Sequence, residues 1–449
     1  MNKYYPFYIR NLKLAFPIIL SQIGQVMVQQ IDTMMVGYVG TVELAASAFA
    51  NSIFIIGMVI VMGFTFGITP IVGHLVSDKD KTKVSSILSN AIVINIGFSM
   101  LIALLLYLTS FYFNHMGQVD EVAILSQPYF LSIVLSLIPL IIFFTFKQFA
   151  EGIGDTKNAM FITISSNVIN IVLNYILIFG KLGFPELGLL GAGIATLISR
   201  IYMALGFIGV FSYNKIFSPY LHKISIHLIN RKEIKELFSV GIPISMQLLL
   251  EVLAFGLTAI MAGWLGVIPL AAHQIAIGLA SISFMVIIGV GSATTIRVAH
   301  QLSHKDYIGL MMASKASIHI ILGFMGSSAI LFLFLRNYLP LLYTNDIDVI
   351  IVTSKLLIMA AIFQLFDGLQ VVMISILRGI GDVKHAMIYA FIAYILINLP
   401  LGYFLGFSLN YGIIGLWVGL IMGLVIASLL FYIRFRTIFA KLNSNVSTE

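Results

Sequence analysis

Apolar runs long enough to cross a bilayer as helices, about 20 residues each, recur from one end of the chain to the other. Each closes on a charged or Gly/Pro/Asn-rich break. Leu248–Val267 contains one acid, Glu251, and Ile275–Val298 contains one charge, Arg297. The pattern predicts twelve spans, at 12–36, 46–74, 85–110, 124–147, 158–180, 188–213, 236–263, 270–297, 311–335, 350–377, 386–408 and 412–434. The strict alternation of a membrane β-barrel strand is absent from these runs. A helix satisfies its own backbone hydrogen bonds where no water is available, so helices are the expected spanning element. The fold class predicted is an all-α integral membrane protein.

Composition agrees. Of 449 residues, 60% are hydrophobic and 10% charged, whereas a soluble domain carries about 25% charged residues. The net charge of +7 would suit nucleic acid or a membrane surface, and the placement of the charges decides between them. With the N-terminus inside, 21 of the 25 Lys and Arg fall on the inner side, only Lys181 and Arg336 fall outside, and Arg200 and Lys355 lie within spans. One miscounted span would flip every later loop, so the bias supports twelve spans with both termini in the cytoplasm. Basic residues here mark topology and predict no nucleic-acid partner. The first segment reads as a span and not a cleavable signal, because it holds Pro17, Gln22, Gln25, Gln29, Gln30 and Asp32. Cysteine is absent, which excludes disulfides, thiolate metal sites and catalytic thiols.

The chain repeats itself. Shifted by 226 residues, Pro17-Ile18 meets Pro243-Ile244, Leu44-Ala45-Ala46 meets Leu270-Ala271-Ala272, and Thr69, His74, Ser77, Lys79 and Asp80 meet Thr295, His300, Ser303, Lys305 and Asp306. At a shift of 227, Gly152-Ile153-Gly154-Asp155 meets Gly379-Ile380-Gly381-Asp382. Matches between apolar helices arise by chance; matches at charged and glycine positions in loops do not. The prediction is two pseudo-symmetric six-helix lobes, 1–213 and 236–449, joined by a cytoplasmic loop at 214–235. Its helix-like continuation Ile229–Phe238 is expected on the membrane surface. Six spans per repeat is an even number, so both halves insert the same way, with a cavity between them. The Gly-x-Gly-Asp segments follow no strand and each ends a span, so they read as tight turns and not as phosphate loops.

Of 18 acidic residues, three lie well inside apolar spans: Asp32, Glu251 and Asp367. A carboxylate at the bilayer centre costs at least about 3 kcal/mol on insertion scales, so such groups are expected at a protein-lined cavity. Gln22, Gln25, Gln29 and Asp32 form one stripe by helical spacing, and Asn167, Asn170 and Asn174 share a face of the fifth span. Together they predict a first-lobe polar pocket. In the second lobe Glu251 replaces Gln25, Thr258 replaces Asp32, and Asp367 sits between Gln364 and Gln370. Two carboxylates there can share a sodium ion, or one can carry a proton; spacing does not choose. His273 and Gln274, at the start of the eighth span, are candidates to line a cleft, alongside Phe363, Gln364 and Gln370.

Gln29-Gln30-Ile31-Asp32-Thr33-Met34-Met35-Val36-Gly37, Glu151-Gly152-Ile153-Gly154-Asp155, Leu270-Ala271-Ala272-His273-Gln274 and Leu377-Arg378-Gly379-Ile380-Gly381-Asp382 together resemble the multidrug and toxic compound extrusion (MATE) family, in its NorM-type bacterial branch. The resemblance covers essentially the whole chain. It implies two six-helix lobes in a bacterial inner membrane, and export of cationic, often aromatic, drugs or dyes in exchange for sodium or protons. Asp32 matches the family's first-helix aspartate, Asn170 and Asn174 match polar residues of that lobe's ion site, and Glu251 and Asp367 match the acidic pair of the second. Sodium is accordingly expected at Glu251, Asp367 or Asp32. Phe363 departs from the pattern, since a tyrosine stands there in that branch and its hydroxyl is a ligand lost.

No cofactor beyond the coupling ion is expected, and a monomer suffices because the duplicated halves already build the cleft. A related lipid-linked saccharide flippase is the alternative. It would want cationic residues in its cavity, where the candidates here are three acids against Arg200 alone. A membrane-embedded enzyme would need paired aspartates for magnesium, a His-Glu-x-x-His motif or a Ser/His pair at membrane depth, and none is found.

Overall fold

The computed structural model describes residues 3–77, 81–221 and 230–446. Lys79, Asp80 and Ile229, named above for the repeat and the surface run, and Lys223, one of the 21 inner-side basic residues, lie outside them. Each expected span is a helix long and apolar enough to cross a membrane. In the first half these are α1 (Tyr5–Gly37), α2 (Thr41–His74), α3 (Lys81–Ser110), α4 (Asp120–Ile153), α5 (Lys157–Phe179) and α6 (Gly188–Tyr213). In the second they are α7 (Arg231–Trp264), α8 (Val267–Ser303), α9 (Tyr307–Leu335), α10 (Ile347–Ile380), α11 (Val383–Ser408) and α12 (Gly412–Leu442). There is no strand among the described residues. The helices run past the apolar windows because polar first and last turns continue the same backbone hydrogen bonding.

The faces that water would penalise are exposed. Leu101, Leu104, Leu105 and Leu108 line one face of α3, all open to the surroundings, which suits acyl chains. Inside, the fourth helix of each half is the hub: α4 packs on α2, α3 and α6, and α10 on α8, α9 and α12. The repeat also holds at atomic detail. Thr69 Oγ1 donates to the Gln148 carbonyl and Thr295 Oγ1 to the Ser375 carbonyl, both at 3.0 Å. Asp155 N donates to Ala150 O and Asp382 N to Leu377 O, both at 2.9 Å. These bonds close helix ends on Gly154 and Gly381, whose φ of 101° and 92° lie in the left-handed region. The Gly-x-Gly-Asp segments are therefore tight helix-terminating turns.

Two compact units emerge, and they divide differently from a cut at 214–235. One is Leu20–Ser245; the other is Met1–Ile19 with Met246–Glu449. The breaks after Ile19 and after Ser245 are themselves 226 residues apart, and each follows a proline within the helix, Pro17 or Pro243. Proline removes one intrahelical hydrogen bond and bends the helix there. The opening turns of α1 thus pack with the second-half helices, where Asn11 Nδ2 donates to Ala313 O at 3.0 Å and Ser317 Oγ at 2.9 Å. Likewise Glu233, at the start of α7, accepts from Ser86 Oγ at 2.6 Å and Asn90 Nδ2 at 2.7 Å on α3.

Three interruptions were not visible in the hydropathy. Helix α2 breaks between Thr65 and Ile68, and α4 at Ser136. Helix α11 widens into π-helical turns at Ile392–Asn398 and Phe404–Ser408. Next to them Gly402 and Gly406 meet Gly419 and Gly415 of α12 so closely that a Cβ on either α12 glycine would fall 2.6 Å from α11 backbone. Close approach through small residues is the usual packing device between membrane helices.

Candidate functional site

In the Leu20–Ser245 unit, α1, α5 and α6 assemble a polar chain. Asn174 Nδ2 donates to Asp32 Oδ1 at 2.5 Å and to Asn170 Oδ1 at 3.1 Å, and Asn170 Nδ2 donates to Ser199 Oγ at 3.4 Å. Asp32 is half-buried, while Asn170 and Asn174 are buried. The helical spacing of 170 and 174 puts both amides on one face, which is why they act in series. Arg200 of α6 donates to Ser136 Oγ at 2.6 Å, lies 5.3 Å from the Phe54 ring centroid, and acts through its charge on Asp32. Asn167 sits beside Gly24, its Nδ2 2.8 Å from where a Cβ would stand. Gln25 is half-buried and Gln29 exposed, and neither side chain makes a hydrogen bond among the described residues. The structure thus joins Asp32, Asn170 and Asn174, with Asn167, Gln25 and Gln29 outside that chain.

The second unit builds a different cluster from α7, α10 and α11. Gln247 Nε2 donates to Glu251 Oε2 at 3.1 Å, one turn along α7, and its Oε1 accepts from Arg378 Nη2 of α10. Glu251 and Asp367 are buried and feel each other's charge. Tyr394, fully inside α11, is near enough to act on Glu251, Asp367 and Arg378. Asp367 Oδ1, the Tyr394 hydroxyl and both amide atoms of Gln370 are buried without a hydrogen-bond partner. Buried polar atoms are normally satisfied, so these four atoms have hydrogen-bonding capacity to spare. Among the described residues no three His, Cys, Asp or Glu side chains gather as metal ligands, so the cluster offers two carboxylates and neutral oxygens.

Other candidates separate. Gln364 Oε1 accepts from Ser328 Oγ at 2.7 Å, which is bonded to Ser283 Oγ at 2.8 Å. Phe363 lies between Phe255 and Trp417, with ring centroids 6.0 and 5.7 Å away. His273 is buried edge-on to Trp417 at 5.9 Å, whereas Gln274 is exposed, so these neighbours do not share a surface.

Sequence reasoning missed four participants. Arg378 was read as an inner-side charge and as part of the Leu377–Asp382 motif with no role of its own, yet it is half-buried at the cluster. Gln247 was legible from its spacing of four from Glu251. Tyr394 carried no signal apart from its repeat position, which is that of Asn167 at the 227 shift. Glu151 was assigned to a span end, but it is buried inside α4 with its Oε1 3.7 Å from Lys147 Nζ.

Known proteins agree with this architecture. A family model described as MatE matches residues 17–176 and 243–404, two stretches that begin 226 residues apart. The multidrug resistance protein NorM of Photobacterium profundum is 32% identical over 401 residues, covering 88% of this chain and 87% of that protein. Among solved structures, the eukaryotic MATE transporter AtDTX14 superposes with a TM-score of 0.87 at 21% identity, covering 99% of both chains. A MOP-superfamily transporter of Pyrococcus furiosus, described as having a binding pocket of reverse polarity, gives 0.82 at 19% identity, covering 97% of both. At such identities the two structures show the fold alone. Family match and full-length relatives together establish that this multi-pass membrane protein belongs to the MatE family of transporters, in its NorM-like branch, and is not an enzyme.

Proposed function

We propose that the chain is a secondary active multidrug exporter of the bacterial inner membrane, expelling cationic or aromatic small organic compounds in exchange for sodium or protons by alternating access. The observation that carries this reading is the pair of polar clusters at membrane depth, one around Asp32 and one around Glu251 and Asp367. Carboxylates are retained at such depth where they bind a cation or a proton. An inward gradient contributes about 2.3 kcal/mol per charge per 100 mV in addition to its concentration term, enough to move a drug uphill. Coupling follows if cation and drug compete for the same negative charge in each cycle. Both termini are cytoplasmic in this reading, and one copy of the chain suffices.

A flippase for phosphorylated lipids would need free basic groups. The two candidates are engaged, Arg200 with Ser136 and Asp32, and Arg378 with Gln247, which favours cationic cargo. The deciding experiment is dye efflux from everted vesicles with sodium and pH gradients imposed separately. One gradient should drive efflux of a cationic dye; efflux indifferent to both would refute the proposal.

A further inference from the structure

A groove of about 210 Å³ runs between α10 and α12 of the second unit. One wall is Phe366, Leu369 and Met373, spaced three and four apart on α10; the other is Val425, Leu429 and Tyr432, spaced four and three apart on α12. Ser428 lies at its floor, with its hydroxyl turned back to the Leu424 carbonyl at 2.8 Å. Leu429 and Tyr432 are exposed, as is Ile433 beside them, so the groove opens on a surface that suits acyl chains. Four residues beyond Tyr432 the same face of α12 carries Arg436, which is exposed. Its Nη1 donates to the Tyr432 hydroxyl at 3.2 Å, and its guanidinium lies 6.0 Å from the Tyr432 ring centroid. No carboxylate pairs with Arg436 among the described residues. A guanidinium is thus folded back onto the rim of an apolar groove, with most of its five N–H donors left for another acceptor.

We propose that this groove binds one anionic phospholipid, an acyl chain lying between α10 and α12 and the phosphate of its headgroup on Arg436. Length fits. Val425 to Arg436 is about 16 Å along the helix axis at 1.5 Å per residue, close to half of a hydrocarbon core about 30 Å thick and so to one leaflet. The leaflet is the inner one in the topology proposed above. Size excludes a helix from a second copy of the chain, since one turn of a helix about 10 Å across already fills roughly 400 Å³. Charge excludes a lipophilic cation, which would meet Arg436 at the rim. An arginine fork matches a phosphate bidentately, and a lipid that also carries an ammonium group returns part of the attraction. The site stands apart from Asp32, Glu251 and Asp367, and the proposal does not depend on how transport is coupled.

The test uses the full-length chain in an uncharged detergent, reading the thermal melting midpoint as phosphatidylglycerol or phosphatidylcholine of identical acyl chains is added. Phosphatidylglycerol should raise the midpoint with a half-effect at about one fifth of the phosphatidylcholine concentration, the preference expected of one basic residue at the membrane surface. Glycerophosphoglycerol, the same headgroup without chains, and inorganic phosphate should do nothing. Arg436→Gln should erase the preference, leaving the two lipids equal, while Arg336→Gln at the end of α9 should keep it. Leu429→Trp should fill the groove and weaken the response to both lipids at least about fivefold. Val425→Phe fills the same groove and takes its place if Leu429→Trp melts early without lipid. A preference that survives Arg436→Gln, or a response unchanged by either groove-filling variant, overturns the proposal. So does stabilisation by phosphate or glycerophosphoglycerol alone, which marks a free-anion site, or by tetraphenylphosphonium in a manner lost on filling the groove, which marks a drug site. A wild-type dimer that Leu429→Trp turns into a monomer on size-exclusion chromatography would assign the groove to a second copy and overturn it as well.

Discussion

Gly379→Ala should destabilise the second unit although alanine is the better helix former. A Cβ at 379 would lie 2.8 Å from the Thr295 carbonyl oxygen and 2.8 Å from Val298 Cβ on α8. Heavy atoms in favourable contact sit about 3.5 Å apart or more, so α8 and α10 would have to part by roughly 0.7 Å. Neither obstacle is the free end of a flexible side chain. The same movement stretches the 3.0 Å bond from Thr295 Oγ1 to the Ser375 carbonyl. Overpacking of this kind costs about 3 kcal/mol at its upper end, and replacing glycine in a helix returns about 1 kcal/mol. The net loss is about 2 kcal/mol, or close to thirtyfold in the unfolding equilibrium. Unfolding in mixed micelles can be followed by tryptophan fluorescence, because both tryptophans, Trp264 and Trp417, belong to the unit that contains Gly379. Gly323→Ala on α9 is the control: nothing lies within 4 Å of its added Cβ, so it should be neutral or slightly stabilising. Gly152→Ala, which meets Val72 at 2.8 Å, should show a loss like that of Gly379→Ala by circular dichroism. A Gly379→Ala midpoint equal to that of Gly323→Ala would refute the packing argument.

Asn174→Ala removes a donor that competes with the driving cation for Asp32 Oδ1 and should tighten apparent affinity for that cation about fivefold in dye-efflux assays, a discounted charged hydrogen bond because Asp32 is half-exposed. Thr295→Val, which loses a 3.0 Å bond to a neighbouring helix, should cost about 1 kcal/mol of stability, and Thr69→Val should cost somewhat more, because its hydroxyl reaches the Gln148 side chain at 2.6 Å as well as the Gln148 carbonyl at 3.0 Å; a Thr69→Val variant that melts like wild type would refute this. Since the chain lacks cysteine, Lys181→Cys and Lys232→Cys give clean sidedness probes. An impermeant maleimide should label the first in intact cells and the second only after permeabilisation, and the reverse pattern would invert the proposed topology.

Local rules determined much of this protein. Span number follows from the length of apolar runs, because lipid forces each crossing segment to bond its own backbone. The repeat was legible where chance matching is improbable, and the structure carries it down to paired contacts such as those of Thr69 and Thr295. The turns after Gly152 and Gly379 were legible because a left-handed residue that ends a helix favours glycine. Tertiary packing decided which charges meet. Arg378 reads as one more inner-side charge, and only the approach of α10 to α7 through Gln247 makes it the counter-ion of Glu251. Tyr394 is one of 19 tyrosines in the sequence; the π-turn in α11 and the packing of three helices bring it within reach of the charges of two acids. Hydropathy gives a residue's depth along a helix but not its azimuth against neighbours. Charge pairing depends on both, so it could be settled only in three dimensions.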